Sequence, residues 1–243
     1  MKIASLSGGK DSVAMVLIDN YDLAVFYDTG KEFDAIYRVI EQLQKHIPII
    51  TLRPGKSFDY KMFEHARTRG KRIGEKGYGW CGGVCRWGTT EKLAALDRYA
   101  KQNKATMAIG IAIDETERIA KERSNFKTMP LVDRKLTEKQ CLEICRQHNI
   151  SWLEKTDSKF DVPAEIDLYD ILQRVSCWCC RNKNLKELKN MYKYFTYSYW
   201  AKLKDIEARL GVKMKPSGWL WELEAKWETE ILAEQRQIKM GVI

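Results

Sequence analysis

Residues 2–12 read KIASLSGGKDS, a short apolar strand pattern followed at once by two glycines, a lysine, an aspartate and a serine. Gly8 and Gly9 can adopt backbone angles that are closed to other residues, so their amide groups can approach an anion closely. The helical pattern that follows presents its positive dipole end at the same point. The lysine adds a mobile positive charge and the serines add short donors. This strand–loop–helix stretch therefore predicts a phosphate-binding loop.

Apolar, strand-like runs alternate with helical periods through the first two thirds of the chain. The predicted strands cover residues 2–6, 23–27, 49–52 and 106–113, and the predicted helices cover residues 11–20, 33–46, 89–102 and 137–148. This alternation is typical of an α/β fold with a doubly wound, mostly parallel sheet. Ligands of such sheets bind outside the carboxyl ends of the strands, where the glycine loop and Asp28-Thr29-Gly30 would both lie.

The character of the chain changes near residue 158, where a region rich in cysteine, aromatic residues and lysine begins and reads as helical to the end. We predict a nucleotide-binding α/β domain over residues 1–157 and a helical, cysteine-containing subdomain over residues 158–243. The last predicted helix, residues 218–239, places Leu220, Leu223, Trp227 and Ile231 on one stripe. Such a stripe is typical of a helix that packs against the core of its own chain.

Composition and charge narrow the class of protein. The 243 residues contain no run of 18 apolar residues and no signal-peptide pattern, which predicts a soluble, cytoplasmic protein without a membrane partner. The seven cysteines fall in close clusters, which favours a reducing compartment. The net charge of +9 is concentrated at residues 53–76 and 181–215. Such patches suit nucleic acid or the phosphates of a nucleotide, although solvated lysine-rich faces explain them equally well.

Two groups of closely spaced cysteines indicate a metal centre. Cys81 and Cys85 flank Gly-Gly-Val, and Cys177, Cys179 and Cys180 follow some ninety residues later. Two short-spaced pairs of thiolates are what a tetrahedral zinc ion or a cubane cluster requires. We predict Cys81, Cys85, Cys177 and Cys180 as the ligands, with Cys179 as a substitute. The alternative is that all of them are buried as small apolar residues.

A third cysteine pair lies inside a predicted helix. Cys141, Cys145 and His148 fall on one face of the helix at residues 137–148 and could ligate a metal. The same positions form the predicted core face of that helix, and we favour the core interpretation. The helix is predicted to begin at Thr137, with Gln140 completing a capping box.

The motifs together resemble a known superfamily. SGGKDS at residues 7–12 resembles the pyrophosphate-binding loop of the N-type PP-loop ATP pyrophosphatases, and it differs from the commoner phosphate loop because Asp11 follows the lysine. Asp28-Thr29-Gly30 with Glu32-Phe33 resembles the second-strand signature of the phosphoadenosine phosphosulfate (PAPS) reductase family, a branch of these enzymes. Residues 110–118, GIAIDETER, and residues 129–132, MPLV, are similar to two further segments of that family. The similarity spans residues 1 to about 190.

The resemblance implies an ATP site and assigns its residues. The ATP phosphates would be held by Ser7, Gly8, Gly9, Lys10, Asp11 and Ser12. The nucleotide cleft would be lined by Asp28, Thr29, Gly30, Gly110, Asp114, Glu115 and Arg118. Lys10, Asp11 and Arg118 are the implied catalytic residues, and Mg²⁺ would help to neutralise the phosphates. Ala112 stands where the family commonly carries an arginine, which leaves the contacts of the second ligand undefined.

The activity implied by the resemblance is attack on the α-phosphate of ATP with loss of pyrophosphate, followed by displacement of AMP by a sulfur or nitrogen nucleophile. The cysteines are similar to those of the superfamily's iron–sulfur members, which include adenylyl-sulfate reductases, tRNA thiolation enzymes and DNA phosphorothioation proteins. We therefore favour a [4Fe-4S] cluster over Zn²⁺, and predict sulfur transfer from an unidentified donor to a nucleotide or a nucleic acid, tRNA or DNA. A homodimer is compatible with the sequence.

Two other functions stay open. The first is a sulfonucleotide (PAPS or APS) reductase that uses an external thiol. Family reductases attack sulfur with a cysteine near their C-terminus, whereas the last cysteine here is Cys180 and the final 63 residues contain none. The second is a metal-stabilised nucleic-acid-binding protein with a non-catalytic ATP site. The intact Lys10 and Asp11 argue against it, since a degenerate loop would be expected to lose them.

Overall fold

The computed structural model describes residues 1–122 and 124–240, apart from the side chain of Trp87. Contacts within the chain divide it into two compact units. The first contains Met1–Gly55 and Arg86–Trp152, and the second contains Lys56–Cys85 and the chain from Leu153 onward. The sequence did not indicate that Lys56–Cys85 groups with the C-terminal region.

The first unit is built on a five-stranded sheet in which every neighbouring pair is parallel. Its strands are β1 (Lys2–Leu6), β2 (Leu23–Tyr27), β3 (Ile49–Leu52), β4 (Thr106–Ile109) and β5 (Lys127–Thr128). Their order is β3-β2-β1-β4-β5, so the winding reverses between β1 and β4. The predicted doubly wound α/β fold is confirmed, and the reversal creates the crevice in which such sheets bind ligands.

The first three strands have the predicted bounds, whereas the fourth is shorter than predicted. The predicted strand at residues 106–113 ends at Ile109. The chain turns there because Gly110 passes against the backbone of Ser12, and Ile111 N then donates a hydrogen bond of 3.0 Å to the carbonyl oxygen of Ile109. The apolar residues that follow Gly110 therefore belong to a loop.

Helices connect the strands of the first unit. They are α1 (Lys10–Ile18), α2 (Asp34–Leu43), α3 (Glu91–Gln102), α4 (Thr116–Lys121), α5 (Pro130–Asp133) and α6 (Glu138–Gln147), and a one-turn π-helix, Arg86–Thr90, precedes α3. The predicted capping box at the start of α6 is confirmed. Gln140 N donates to Thr137 Oγ1 at 3.3 Å, and Thr137 N donates to Gln140 Oε1 at 2.9 Å.

The core of the first unit lies between the sheet and its helices. Ile3, Val25 and Met107 from three strands pack with Leu96 and Ala100 of α3, and all five side chains are buried. Burial of apolar surface of this kind is the main stabilising term of a fold.

The helix pair α1 and α6 contains the third cysteine pair. The two helices pack against each other, and Cys141 and Cys145 are fully buried in α6. The core interpretation of these two cysteines is confirmed. His148 is exposed at the end of the helix, where its Nδ1 lies 2.9 Å from the carbonyl oxygen of Ile144.

The second unit is mostly helical but contains an antiparallel hairpin. The hairpin joins β6 (Leu153–Lys155) to β7 (Glu165–Asp167), and the helices are α7 (Leu168–Ile171), α8 (Leu185–Tyr194), α9 (Ala201–Leu210) and α10 (Leu220–Lys239), with one-turn π-helices at Tyr60–Glu64 and Thr196–Trp200. The expectation of helix throughout was wrong for β7. Its partner strand β6 was not predicted either. The side chain that β6 buries is that of Glu154, and a charged residue at the inward position hides the apolar alternation of a half-buried strand.

Aromatic side chains form the core of the second unit. The ring centroids of Tyr192 and Trp200 are 5.4 Å apart, and those of Trp200 and Trp227 are 5.7 Å apart. The predicted stripe of α10 is buried, as expected for a helix that packs on its own chain. Among the described helices, none combines the length and apolar character needed to cross a bilayer.

Candidate nucleotide site and cysteine centre

The loop at residues 7–12 folds back onto the first turn of α1. Ser7 N donates to Ser12 Oγ at 3.0 Å, and the Oγ atoms of the two serines are 2.9 Å apart. Ser12 Oγ also donates to the carbonyl oxygen of Gly9 at 3.0 Å. The amide groups of the first turn of a helix have no acceptor within the helix, so this end of α1 favours an anion.

Three close approaches fix the loop. Gly8 has φ +77°, and a Cβ at this position would lie 2.7 Å from Ile36 Cγ2. Trp152, a buried residue that follows α6, donates its indole N–H to the carbonyl oxygen of Gly8 at 2.7 Å. A Cβ on Gly110 would lie 2.8 Å from both N and Cα of Ser12. The structure therefore brings Gly110 against the loop, next to the amino end of α1.

Lys10 lies buried at this point, with 6% of its surface exposed. Its Nζ is 2.9 Å from Glu138 Oε2 and 3.1 Å from Asp11 Oδ1. Burial opposes the charged form of Lys10, but attraction by Asp11 and Glu138 outweighs it, and the pKa of Lys10 is raised. Glu138 was not predicted as a site residue, because a glutamate in the first turn of a helix is an ordinary feature of sequences.

Three carboxylates meet beside Lys10. One oxygen from each of Asp11, Glu115 and Glu138 lies within 4.8 Å of the other two. Burial raises the pKa of Asp11, and the charges of Glu138 and Glu115 add to that effect. Hard oxygen donors at this spacing fit a magnesium ion, which proteins bind through one or two carboxylates together with the phosphates of the substrate. The residues present therefore fit the predicted Mg²⁺.

The segment at residues 110–118 supplies the rest of this cluster. Arg118 donates from one guanidinium nitrogen to both carboxylate oxygens of Glu115 at 2.6 Å. The Glu115 side chain is buried, whereas that of Arg118 is half-exposed. Asp114 accepts hydrogen bonds from Glu138 N at 3.1 and 3.2 Å, and so joins this segment to the start of α6. Arg118 balances the charge of Glu115 in this arrangement.

Asp28 follows β2 and is almost fully buried. Its Oδ1 accepts hydrogen bonds from Gly30 N and from Tyr37 Oη, both at 2.8 Å. Its Oδ2 accepts from Arg53 Nε at 3.2 Å. Burial and the bond to Asp28 raise the pKa of Tyr37. Thr29 is buried in the same turn. The hydrogen bonds of Asp28 within the protein stabilise the turn at Gly30. Its contact with a nucleotide stays a prediction.

The predicted metal ligands all lie in the second unit. None of the seven cysteines, all of which the structure describes, forms a disulfide. Cys81, Cys85, Cys177 and Cys180 are half-buried, and Cys179 is buried. Cys180 N donates to the carbonyl oxygen of Cys177 at 3.1 Å, so these two residues share one turn. A turn of this kind can present two side chains together at little cost.

Asn182 joins the two groups of cysteines. Its Nδ2 donates to the carbonyl oxygen of Gly83 at 2.7 Å, and Gly83 N donates to its Oδ1 at 3.1 Å. Gly83 has φ +64°, a conformation that favours glycine. The loop from Cys81 to Cys85 is thereby held against the segment that carries Cys177 and Cys180. Asn182 had no signal in the sequence.

A buried lysine accompanies the cysteines. Lys183 is 3% exposed, and burial lowers its pKa, while the neighbouring Cys180, Glu187 and Cys177 act in the opposite direction. Thiolates are the usual ligands of zinc and iron–sulfur centres, and Asn182 joins the two segments that carry them here. Their assembly around one metal centre stays a prediction.

The fold and the loop define a class, the α/β proteins with a glycine-rich loop at the first strand-to-helix turn, a place where phosphate groups commonly bind. A family model described as the phosphoadenosine phosphosulfate reductase domain matches residues 2–150. The chain belongs to this family, and the predicted membership is confirmed.

The chain is also similar to one curated protein and to one solved structure. The uncharacterized protein MJ0066 of Methanocaldococcus jannaschii is 23% identical over 239 residues, which cover 93% of this chain and 45% of the relative. The chain therefore spans about half the length of the curated relative it matches. Among solved structures, the U34-tRNA thiolase NcsA from Methanococcus maripaludis with its [4Fe-4S] cluster has a TM-score of 0.41 and 15% identity, over 95% of this chain and 72% of the thiolase.

Proposed function

We propose that the protein is an ATP-dependent adenylating enzyme that releases AMP and pyrophosphate and transfers sulfur to a nucleotide or nucleic-acid substrate. One observation carries the proposal: buried Lys10 lies at the amino end of α1 between Asp11 and Glu138, with Glu115 close by. A lysine, the amino end of a helix and Mg²⁺-type carboxylates at one point suit the triphosphate of ATP. Membership of the PAPS reductase family supports the same chemistry.

The proposed first step forms an adenylated substrate. An oxygen atom of the substrate attacks the α-phosphorus of ATP, the bond from that phosphorus to the bridging oxygen breaks, and pyrophosphate leaves with the electron pair. Lys10 and the amides of α1 stabilise the phosphate oxygens by position and charge. Asp11, Glu115 and Glu138 would hold Mg²⁺, which supplies further neutralisation when bound. Arg118 orients Glu115 through its two short bonds.

The proposed second step is sulfur transfer. A sulfur nucleophile attacks the activated carbon, the bond from that carbon to the AMP oxygen breaks, and AMP leaves with the electron pair. The nucleophile written here is hydrosulfide, whose sulfur stays on that carbon as the AMP oxygen leaves; the molecule that would supply it is unidentified. Cys81, Cys85, Cys177 and Cys180 would hold a [4Fe-4S] cluster that binds or activates the sulfur, with Cys179 as a substitute ligand. A Zn²⁺ ion is the alternative at the same residues.

The adenylation proposal is tested with α-labelled ATP. Anaerobically purified protein is incubated with Mg²⁺, hydrosulfide and either a nucleotide, RNA or DNA, and products are separated by chromatography. We expect AMP and pyrophosphate in the presence of a substrate. Lys10→Met should abolish both products, whereas the matched surface variant Lys45→Met should retain them, because Lys45 is exposed. Release of ADP and orthophosphate, or ATP binding without turnover of any substrate, would overturn the proposal.

The metal proposal has an independent readout. Iron and acid-labile sulfide in the anaerobic preparation should each approach about four per chain, as a [4Fe-4S] cluster requires. Cys177→Ser should lose both, and Cys141→Ala, which changes a buried cysteine of α6, should keep both. One zinc per chain without sulfide would select the alternative. Absence of both metals would remove the centre from the proposal.

A reductase is the second candidate, and the family description favours it. One thiolate of an external dithiol would attack the sulfur of PAPS or APS, and the nucleotide phosphate would leave with the electrons of the broken sulfur–oxygen bond. The second thiolate would then displace sulfite, so that the dithiol is oxidised to a disulfide. Incubation with PAPS or APS and a reduced dithiol protein, followed by measurement of sulfite, separates the two functions. We expect no sulfite above the level seen with Lys10→Met.

A further inference from the structure

Residues 65–77 form a hairpin-like loop in the second unit, which we call the basic arm. Its two sides are joined by hydrogen bonds from Gly77 N to the carbonyl oxygen of His65 at 2.9 Å and from Arg67 N to that of Glu75 at 2.9 Å. Gly74 N donates to the carbonyl oxygen of Arg67 at 2.8 Å. The arm carries five basic residues and one acidic residue, Glu75; the basic ones are Arg67, Arg69, Lys71, Arg72 and Lys76.

The base of the arm is fixed to the second unit. A Cβ on Gly77 would lie 2.2 Å from the carbonyl oxygen of Met62, so the arm approaches the π-helix Tyr60–Glu64 closely. Arg67 Nε donates to the carbonyl oxygen of Gly77 at 2.7 Å. The rings of His65 and Tyr78 stack with centroids 5.0 Å apart. A fixed base holds the charges of the arm in one place, which reduces the entropy lost on binding.

The tip of the arm is exposed and almost entirely polar. Residues 68–76 are all exposed. Arg72 is paired with Glu75, and Ile73 is the single large apolar side chain of the tip, with 68% of its surface exposed. An arm that enters a lipid surface needs a broad apolar face, which one isoleucine does not supply. Several exposed cations over a few residues suit the repeated phosphates of a nucleic-acid backbone.

The arm leads directly into the candidate metal centre. Only Gly79 and Trp80 separate Tyr78 from Cys81, the first predicted ligand. Trp80 is buried and donates its indole N–H to the carbonyl oxygen of Val212 at 2.9 Å. The base of the arm and the first cysteine thus belong to one anchored segment, and a polyanion on the arm would be held by the same segment that carries Cys81.

A further cation flanks the base of the arm. The guanidinium carbon of Arg209, from α9, lies 3.9 Å from the ring centroid of Phe63 in the π-helix. Its side chain is about half exposed. Because Arg209 also pairs with Asp205 at 3.5 Å, the excess positive charge of this surface lies on the arm itself.

We infer that the basic arm binds the phosphate backbone of a nucleic acid. The inference rests on the proposed function, because it selects nucleic acid over a small nucleotide as the class of substrate that receives sulfur. It differs in its test, since binding to the arm is measured without ATP.

The test is fluorescence anisotropy with labelled single-stranded RNA, single-stranded DNA and a duplex of equal length, over a series of salt concentrations. The triple variant Arg69→Ser/Lys71→Ser/Arg72→Ser removes three charges from the tip. For single strands the slope of log affinity against log salt should become shallower by about 2, and the affinity should fall on the order of a hundredfold at about 0.1 M salt. The control Lys45→Ser/Arg98→Ser/Lys226→Ser removes three exposed charges elsewhere and should leave the slope unchanged.

The outcomes separate the inference from the proposed function. Equal losses in the two triple variants, or no binding by the unmodified protein, would overturn the inference. Arm-dependent binding to vesicles that contain phosphatidylserine, without binding to nucleic acid, would overturn it in favour of a membrane surface. If the arm binds nucleic acid but neither nucleic acid nor a nucleotide stimulates AMP release, the inference that the arm binds nucleic acid stands and the proposed function fails.

Discussion

Replacement of Gly110 by alanine tests how the loop between β1 and α1 is held. The new Cβ would lie 2.8 Å from N and Cα of Ser12 and 3.0 Å from the carbonyl carbon of Asp11. These are backbone atoms, so no side-chain rotation can relieve the contact, and either the segment after β4 or the first turn of α1 must move. Overpacking of this kind costs about 1–3 kcal/mol, and we expect the upper half of that range.

Urea unfolding measures that cost. Gly110→Ala should lower the free energy of unfolding by about 2–3 kcal/mol with an unchanged m value. Gly55→Ala is the matched control, because a Cβ there meets nothing within 4 Å, and it should stay within about 0.5 kcal/mol of the unmodified protein. ATP affinity, measured by calorimetry on folded protein, should fall only in Gly110→Ala. A Gly110→Ala protein with unchanged stability and unchanged ATP affinity would show that the contact with Ser12 does not hold the loop.

Three further predictions concern single side chains. Asp11→Asn should lower the pKa of Lys10 and reduce ATP turnover, because Asp11 supplies the largest attraction that offsets the burial of Lys10. The alkaline limb of the pH profile of turnover should therefore move to lower pH, and an unmoved limb would contradict this. Asn182→Ala should weaken metal binding about 10- to 100-fold while ATP affinity stays unchanged, because both hydrogen bonds to Gly83 are lost. Iron per chain measures the first effect and calorimetry the second, and unchanged iron retention would contradict the prediction. Cys145 should resist alkylation by iodoacetamide at about pH 8 in the folded protein, because burial raises the pKa of its thiol to about 12. Peptide mass spectrometry measures the extent of alkylation, and rapid alkylation of Cys145 would contradict the prediction.

Sequence patterns that span only a few residues were sufficient to predict three strands and one helix start. β1, β2 and β3 are short apolar runs between turn signals, and their bounds agree with the prediction. The capping box of α6 depends on residues three apart, so Thr137 and Gln140 were sufficient to place it. The fourth strand was too long because Gly110 and the apolar residues after it look like strand. Only the tertiary contact with Ser12 ends it.

The residues that form hydrogen bonds with the candidate phosphate loop are distant in sequence, and patterns of neighbouring residues cannot predict them. Glu138 bonds Lys10 across 128 positions of sequence, and Trp152 bonds Gly8 across 144. Nothing near either residue marks it as a partner of the loop. The cysteine pairs are different, because short-spaced metal ligands can be predicted from the spacing of neighbouring residues alone. Asn182, which joins the two pairs, carries no such spacing and appears only in the structure.

The division of the chain into two units changes what the cysteine spacing means. The first pair precedes Arg86 in Lys56–Cys85, a segment inserted between β3 and α3 that belongs to the second unit. That segment depends on the C-terminal region, since Trp80 bonds Val212 and Gly83 bonds Asn182. A chain ended near residue 157 would therefore keep Cys81 and Cys85 but lose the groups that anchor them. The long separation between the two cysteine groups follows from this insertion: the α/β unit is covalently interrupted by half of the candidate centre, and only the remainder of the chain completes it.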